Sequence, residues 1–153
     1  MKNIYHTNYM QKYYIICVSL EHAKHGIIWG FIQSNHGKST NIKRLKTGDG
    51  VLIYSSKHYF TPDNTVENKL QSFTALGYVQ DEELYQGDMG WGFTPFRRNI
   101  DFIKEIHHTP ISPLLYDLEF VKDVKKWGFP LMYGFLEISR HDFELIVSKM
   151  TSK

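Results

Sequence analysis

The chain has 153 residues and a net charge of only +2, so it is one domain's worth of sequence, and a polyanion would have to be met by a local basic patch instead of a global field. Hydrophobic residues at 42% and charged residues at 22% exclude a disordered or fibrous chain, and the 15% aromatic share tilts the class toward β structure. One cysteine, Cys17, excludes an internal disulfide, and no apolar run approaches the roughly 18 residues that a membrane span needs.

Residues 1–12 are polar and aromatic without an apolar signal core; a short flexible lead-in is expected, followed by a single domain over residues 13–150. Tyr13 to Ser19 reads as a buried strand, with Cys17 packed in the core. Leu20 to His25 predicts a brief helical turn ended by Gly26. Ile27 to Phe31 is apolar and stops at a polar loop, residues 33–38. Lys46 to Gly50 predicts a turn that delivers a second strand, Val51 to Ser55. Lys57 to Lys69 reads as a long surface loop, and Gln71 to Val79 as a third strand closed by an acidic turn, Asp81-Glu82-Glu83. Phe96 to Ile103 alternates as a fourth strand. Pro110 and Pro113 frame a short helix, Leu114 to Leu118, and Tyr133 to Ile138 is a last strand. Ser139 caps a final helix, His141 to Met150, with Phe143, Ile146, Val147 and Met150 as its apolar stripe. Many short strands with few helices and no βαβ rhythm imply an α+β fold: a mixed, mostly antiparallel barrel with helices at its ends.

The segment Trp29-Gly30-Phe31-Ile32-Gln33-Ser34-Asn35-His36-Gly37-Lys38 carries a family resemblance. It is preceded by Val18-Ser19 and followed, in order, by Leu45-Lys46-Thr47-Gly48-Asp49, Tyr54-Ser55, Phe73-Thr74-Ala75-Leu76-Gly77, Phe96-Arg97-Arg98, Lys126-Trp127-Gly128 and Glu137-Ile138. The ordered set, over about residues 13 to 150, resembles the EVE domain family in its small stand-alone prokaryotic members. That resemblance implies a PUA-like β-barrel with peripheral helices and a C-terminal helix. It also implies kinship with YTH domains, which hold N6-methyladenine of RNA in an aromatic cage, and so a reader of modified bases in DNA or RNA.

Trp29 is the first candidate for the pocket, because a base face stacks on an aromatic ring; the bland alternative is a core tryptophan. Asn35 and Ser19 can test a base edge by hydrogen bonding, and Tyr54 can close the pocket with ring or hydroxyl. Gly30 and His36 complete the expected pocket set. Lys38, Lys43, Arg44 and Lys46 form the densest basic stretch and, with Arg97 and Arg98, are expected to meet phosphates.

His22 and His25 sit three apart, on one helical face, but no cysteine cluster or His-Glu-x-x-His motif accompanies them, so neither metal nor cofactor is expected. No nucleophile–base–orienter spacing is visible, which predicts binding without catalysis. The expected role is a cytoplasmic nucleic-acid-binding module without membrane contact, with protein partners left open. The alternatives are a small-ligand or protein-interaction module using the same cavity and, less favoured, an enzyme with His36 as general base.

Overall fold

The computed structural model describes residues 9–33, 39–61 and 65–152. Strand β1 (Tyr13–Cys17) leads into α1 (Leu20–Trp29) and the short β2 (Phe31–Gln33). Strands β3 (Gly50–Lys57), β4 (Lys69–Gln86), β5 (Phe96–Phe102), β6 (Thr109–Pro110) and β7 (Phe135–Ile138) follow, and α2 (Arg140–Met150) ends the fold. The strands form one sheet in the order β2-β5-β4-β3-β1-β7, with β6 beside β4. Only β1 and β3 run parallel; every other pairing is antiparallel. The class is therefore mixed α+β and mostly antiparallel, as expected, but the hydrogen-bonded path ends at β2 and β7 and does not close into a barrel among the described residues.

Both faces of the central strands are buried. On one face Ile15, Leu52, Tyr54, Phe73 and Leu76 pack against Phe143, Ile146 and Met150 of α2 and the turns around Leu114 and Leu131. On the other, Tyr14, Ile16, Val51, Ile53 and Ala75 pack against Ala23 of α1 and Ile42, Leu45 and Ile100. Burial on both sides is why β1 and β3 read as continuous apolar runs instead of alternating ones. The Asp142 carboxylate accepts from the Glu119 and Phe120 amides at 2.8 and 2.9 Å, latching that turn to α2, while Ser139 caps the helix as expected.

Four expectations are corrected. Helix α1 runs through Gly26 to Trp29, because Gly26 is where the Phe31 carbonyl crosses the helix; a Cβ there would lie 2.5 Å from that oxygen. The stop is Gly30, left-handed at φ 75° with its amide on the Gly26 carbonyl. The acidic turn is part of β4, at a register shift between Val79 and Leu84, where Glu82 accepts from Thr47 and Asp81 and Glu83 accept from Asn99. The chain around Pro113 forms a 3-10 turn, Ser112–Leu114, followed by a further turn at 115–117, instead of a helix over 114–118. Finally, Tyr9, Gln11 and Lys12 of the expected lead-in are tied to the 46–50 turn, chiefly through the buried Asp49. Among the described residues no helix is long and apolar enough to cross a membrane.

Candidate functional site

Two clefts join into one groove beside α1. The smaller, about 380 Å³, is lined by His25, Trp29, Phe31, Tyr85 and Arg97. The larger, about 770 Å³, is lined by Ser19, Phe60, Trp91, Phe93 and Tyr133 above a floor that includes Cys17, Val18 and Leu131. His22, Gln33 and Met89 line both and form the partition between them.

Helix α1 positions one wall. It buries Leu20, Ala23 and Gly26, and Ser19, His22, His25 and Trp29, at spacings of three, three and four, form the adjoining stripe that lines the groove. The far wall comes from irregular segments around residues 60, 91–93 and 131–134. Its rings are solvent-facing: Phe60 is 89% exposed, Trp91 74% and Tyr133 84%. Trp29, also 74% exposed, is not a core residue. Trp91 leans on Phe93 with ring centroids 5.4 Å apart, yet rings this open keep area that suits stacking against a planar ligand.

The partition is polar and oriented. Arg97 lies over the Phe31 ring, its guanidinium carbon 4.0 Å from the centroid, and donates from Nε to Gln33 Oε1 at 2.9 Å. A guanidinium can only donate, so the Gln33 carbonyl must face it and the amide NH2 must face His22 Nε2, 3.4 Å away. That nitrogen then has to be the unprotonated one. Desolvation of the imidazole, followed by the nearby His25 and Arg97, correspondingly holds His22 below its ordinary pKa. On the other side of Arg97 lies Gly87, where a Cβ would come within 2.1–2.3 Å of the guanidinium atoms, so a bare backbone is what lets the plane lie flat. No carboxylate is among the described residues that line either cleft.

The predicted site residues separate. Trp29, Ser19 and Arg97 are in the groove; the Ser19 hydroxyl also caps α1 by accepting from the His22 amide. Asn35, His36 and Lys38 lie outside the described residues. Gly30 caps α1 and accepts from the Ile100 amide through its carbonyl, away from the lining. Tyr54 is corrected: it is 3% exposed in the α2-side core, edge-on to Phe73 with centroids 5.5 Å apart, so neither ring nor hydroxyl closes the groove.

Arg98 is corrected as well. It is 2% exposed and its guanidinium donates to the Ile42, Leu45 and Asp81 carbonyls, so its charge is enclosed in the fold and out of a phosphate's reach. Successive residues on a strand point to opposite faces, so Arg97 and Arg98 could not both face the groove. Arg44 lies over the Tyr14 and Phe135 rings and pairs with Glu137 at 3.3 Å; neither it, Lys43 nor Lys46 is among the described lining residues.

Sequence reading missed Gln33, Tyr85, Phe60, Trp91, Phe93 and Tyr133 as groove residues. Cys17 packs against the core as expected but also floors the larger cleft, and burial pushes its thiol up to about 12, far from a reactive thiolate. Elsewhere Glu119, His141 and Asp142 place ligand atoms within 4.8 Å of one another, but both Asp142 oxygens already accept main-chain amides.

Comparison with known proteins agrees with this architecture. The EVE domain family model matches residues 12–149, and the chain belongs to that family. It is 41% identical over 139 residues to a UPF0310 protein of Mycolicibacterium vanbaalenii, covering 91% of this chain and 92% of that one. It is 42% identical over 145 residues to a UPF0310 protein of Mesorhizobium japonicum, covering 92% and 93%. Among solved structures it resembles ASCH from Zymomonas mobilis, with a TM-score of 0.53 at 12% identity over 91% of this chain and 96% of that one, a likeness of fold alone.

Proposed function

We propose that the groove holds a single unpaired base of RNA or DNA, one that carries a modification, and releases it unchanged. The observation that carries this reading is the larger cleft: exposed Trp91 and Tyr133 rings stand over an apolar floor, beside an amide whose orientation Arg97 fixes. A base stacked on such a ring gains roughly 1–3 kcal/mol. The Gln33 amide and the Ser19 hydroxyl are among the groups within the groove that can test its edge. The floor of Cys17, Val18 and Leu131 offers apolar surface to a methyl, which contributes about 0.8 kcal/mol when buried, a few-fold in affinity. The acid-free lining and the Arg97 charge favour an anionic backbone over an acidic peptide. Binding without turnover is supported by the chemistry of the described lining: the Cys17 thiol is held far from ionisation, and the His22 nitrogen that carries a lone pair is turned to Gln33.

The exposed rim of Phe60, Trp91, Met132 and Tyr133 also suits a protein partner, which is the competing reading. Titration of single-stranded oligonucleotides bearing one methylated or unmethylated base separates the two. The parent should bind with quenching of tryptophan fluorescence, and Trp91→Ala should weaken binding about 5- to 100-fold without product formation. A folded Trp91→Ala, Tyr133→Ala double variant that binds these oligonucleotides as the parent does would remove the base-binding reading.

A further inference from the structure

Resting on that reading and going beyond it, we propose that the groove takes two consecutive unpaired nucleotides, so that its ligand class is single-stranded nucleic acid and not a duplex with one extruded base. The smaller cleft is built like the larger one. It has an exposed indole, Trp29, a second ring, Tyr85, whose hydroxyl is fixed on Asn99 at 2.8 Å, and the Arg97 charge in the same lining. It is a neighbouring compartment and not a separate pocket, because His22, Gln33 and Met89 belong to both.

The spacing fits. Ser19, at the start of α1, lines the larger cleft and Trp29, its last residue, the smaller. Ten helical residues span about 15 Å at 1.5 Å each, whereas stacked nucleotides advance roughly 3.4 Å. A single base fills one compartment and leaves the other's aromatic face in water. The next base, splayed across the Gln33–Met89 partition, covers Trp29 and brings its linking phosphate toward Arg97. A paired neighbour cannot do this without giving up its base pair and the stack on its remaining duplex face.

Calorimetric titration of the full chain with 5′-phosphorylated adenylates of one, two and three nucleotides, in ribo and deoxy series, tests the proposal. The dinucleotide should bind about 5- to 100-fold more tightly than the mononucleotide, with little gained at the third. Trp29→Ala should abolish that gain, and Trp29→Phe should restore part of it. Trp91→Ala should weaken every length alike. Equal affinity for one and two nucleotides, a Trp29→Ala variant that binds the dinucleotide as the parent does, or equal binding of a blunt 12-base-pair duplex would each overturn the two-nucleotide site while leaving single-base binding standing. No binding of any length would overturn the two-nucleotide site, while the single-base reading stands or falls on the methylated-oligonucleotide titration above.

Discussion

The α2 side of the sheet and the α1 side are built from the same kinds of residue and put them to opposite uses. Beneath α2, Phe143 is 4% exposed and sits among rings, with Tyr13 at 4.5 Å and Tyr78 at 6.1 Å between centroids. Along α1 and the facing loops, Trp29, Trp91 and Tyr133 are turned out to solvent around a cleft. Aromatic content alone thus says nothing about where a ring acts; what separates the two regions is whether a neighbouring element covers it. The largest expected effect exploits this difference. Phe143→Ala should cost about 3–5 kcal/mol of folding free energy in denaturant titration, whereas Trp91→Ala should lie within about 0.5 kcal/mol of the parent. A Trp91→Ala variant destabilised as much as Phe143→Ala would mean that the groove wall is part of the core.

Arg97 and Arg98 sharpen the comparison to neighbouring residues. Arg98→Met removes donors from three buried carbonyls, Ile42, Leu45 and Asp81, and should cost about 2–4 kcal/mol. Arg97→Met keeps its aliphatic stem on Phe31 and should cost less than about 1 kcal/mol, while weakening oligonucleotide binding and flattening its salt dependence. Equal stability losses for the two would contradict their assignment to interior and groove.

Much of this division was legible before the structure. Strand alternation alone assigns Arg97 and Arg98 to opposite faces, and the spacing of Ser19, His22, His25 and Trp29 marks one side of a helix once that helix is allowed to continue past Gly26. A glycine after six helical residues reads as a stop; only the crossing of the Phe31 carbonyl shows it to be a point of close approach. The far wall was illegible for a different reason. Phe60, Trp91, Phe93 and Tyr133 come from irregular segments that have no period to read, and they meet only because the long β4 and its partners bring those loops to one end of α1. Tyr54 failed in the opposite direction: it is a strand residue on a sheet buried on both faces, where position at a strand's end does not imply an opening.

Gly87 tests the groove's geometry with a smaller perturbation. An added methyl at Gly87→Ala displaces a flexible guanidinium and not backbone, so the fold should lose less than about 1 kcal/mol. The Arg97 plane should nevertheless leave Phe31 and Gln33, and oligonucleotide affinity should fall several-fold, in step with Arg97→Met. Parent-like affinity in Gly87→Ala would show that the stacked position of Arg97 is not the one that matters.

The smallest expected effect is on pH dependence, and it comes from His22. Its folded pKa lies below the ordinary histidine value of about 6.5, because the ring is desolvated and near His25 and Arg97, with Glu21 acting weakly the other way. Well above pH 6.5 the ring is neutral in both folded and unfolded chains and contributes nothing. As pH falls through 6.5 the unfolded chain takes up the proton first, so stability drops, and the loss is complete once pH is below the folded value. His108, also held low by burial and by Lys24 and His58, acts in the same direction. His141 opposes both: its hydrogen bond to Asp142 raises its pKa, so protonation there stabilises the fold as pH falls. The parent curve is therefore a sum, and the informative quantity is the difference between parent and His22→Gln, which should retain more stability between pH 7.5 and 5 than the parent does. In the folded chain, protonation also sets an Nε2–H against the Gln33 amide, which cannot turn over without presenting its NH2 to Arg97. Oligonucleotide affinity should consequently change at a pH below 6.5 in the parent and lose that step in His22→Gln. An imidazole titration of His22 followed by NMR with a midpoint at or above 6.5 would refute the orientation assigned to the whole Arg97–Gln33–His22 relay.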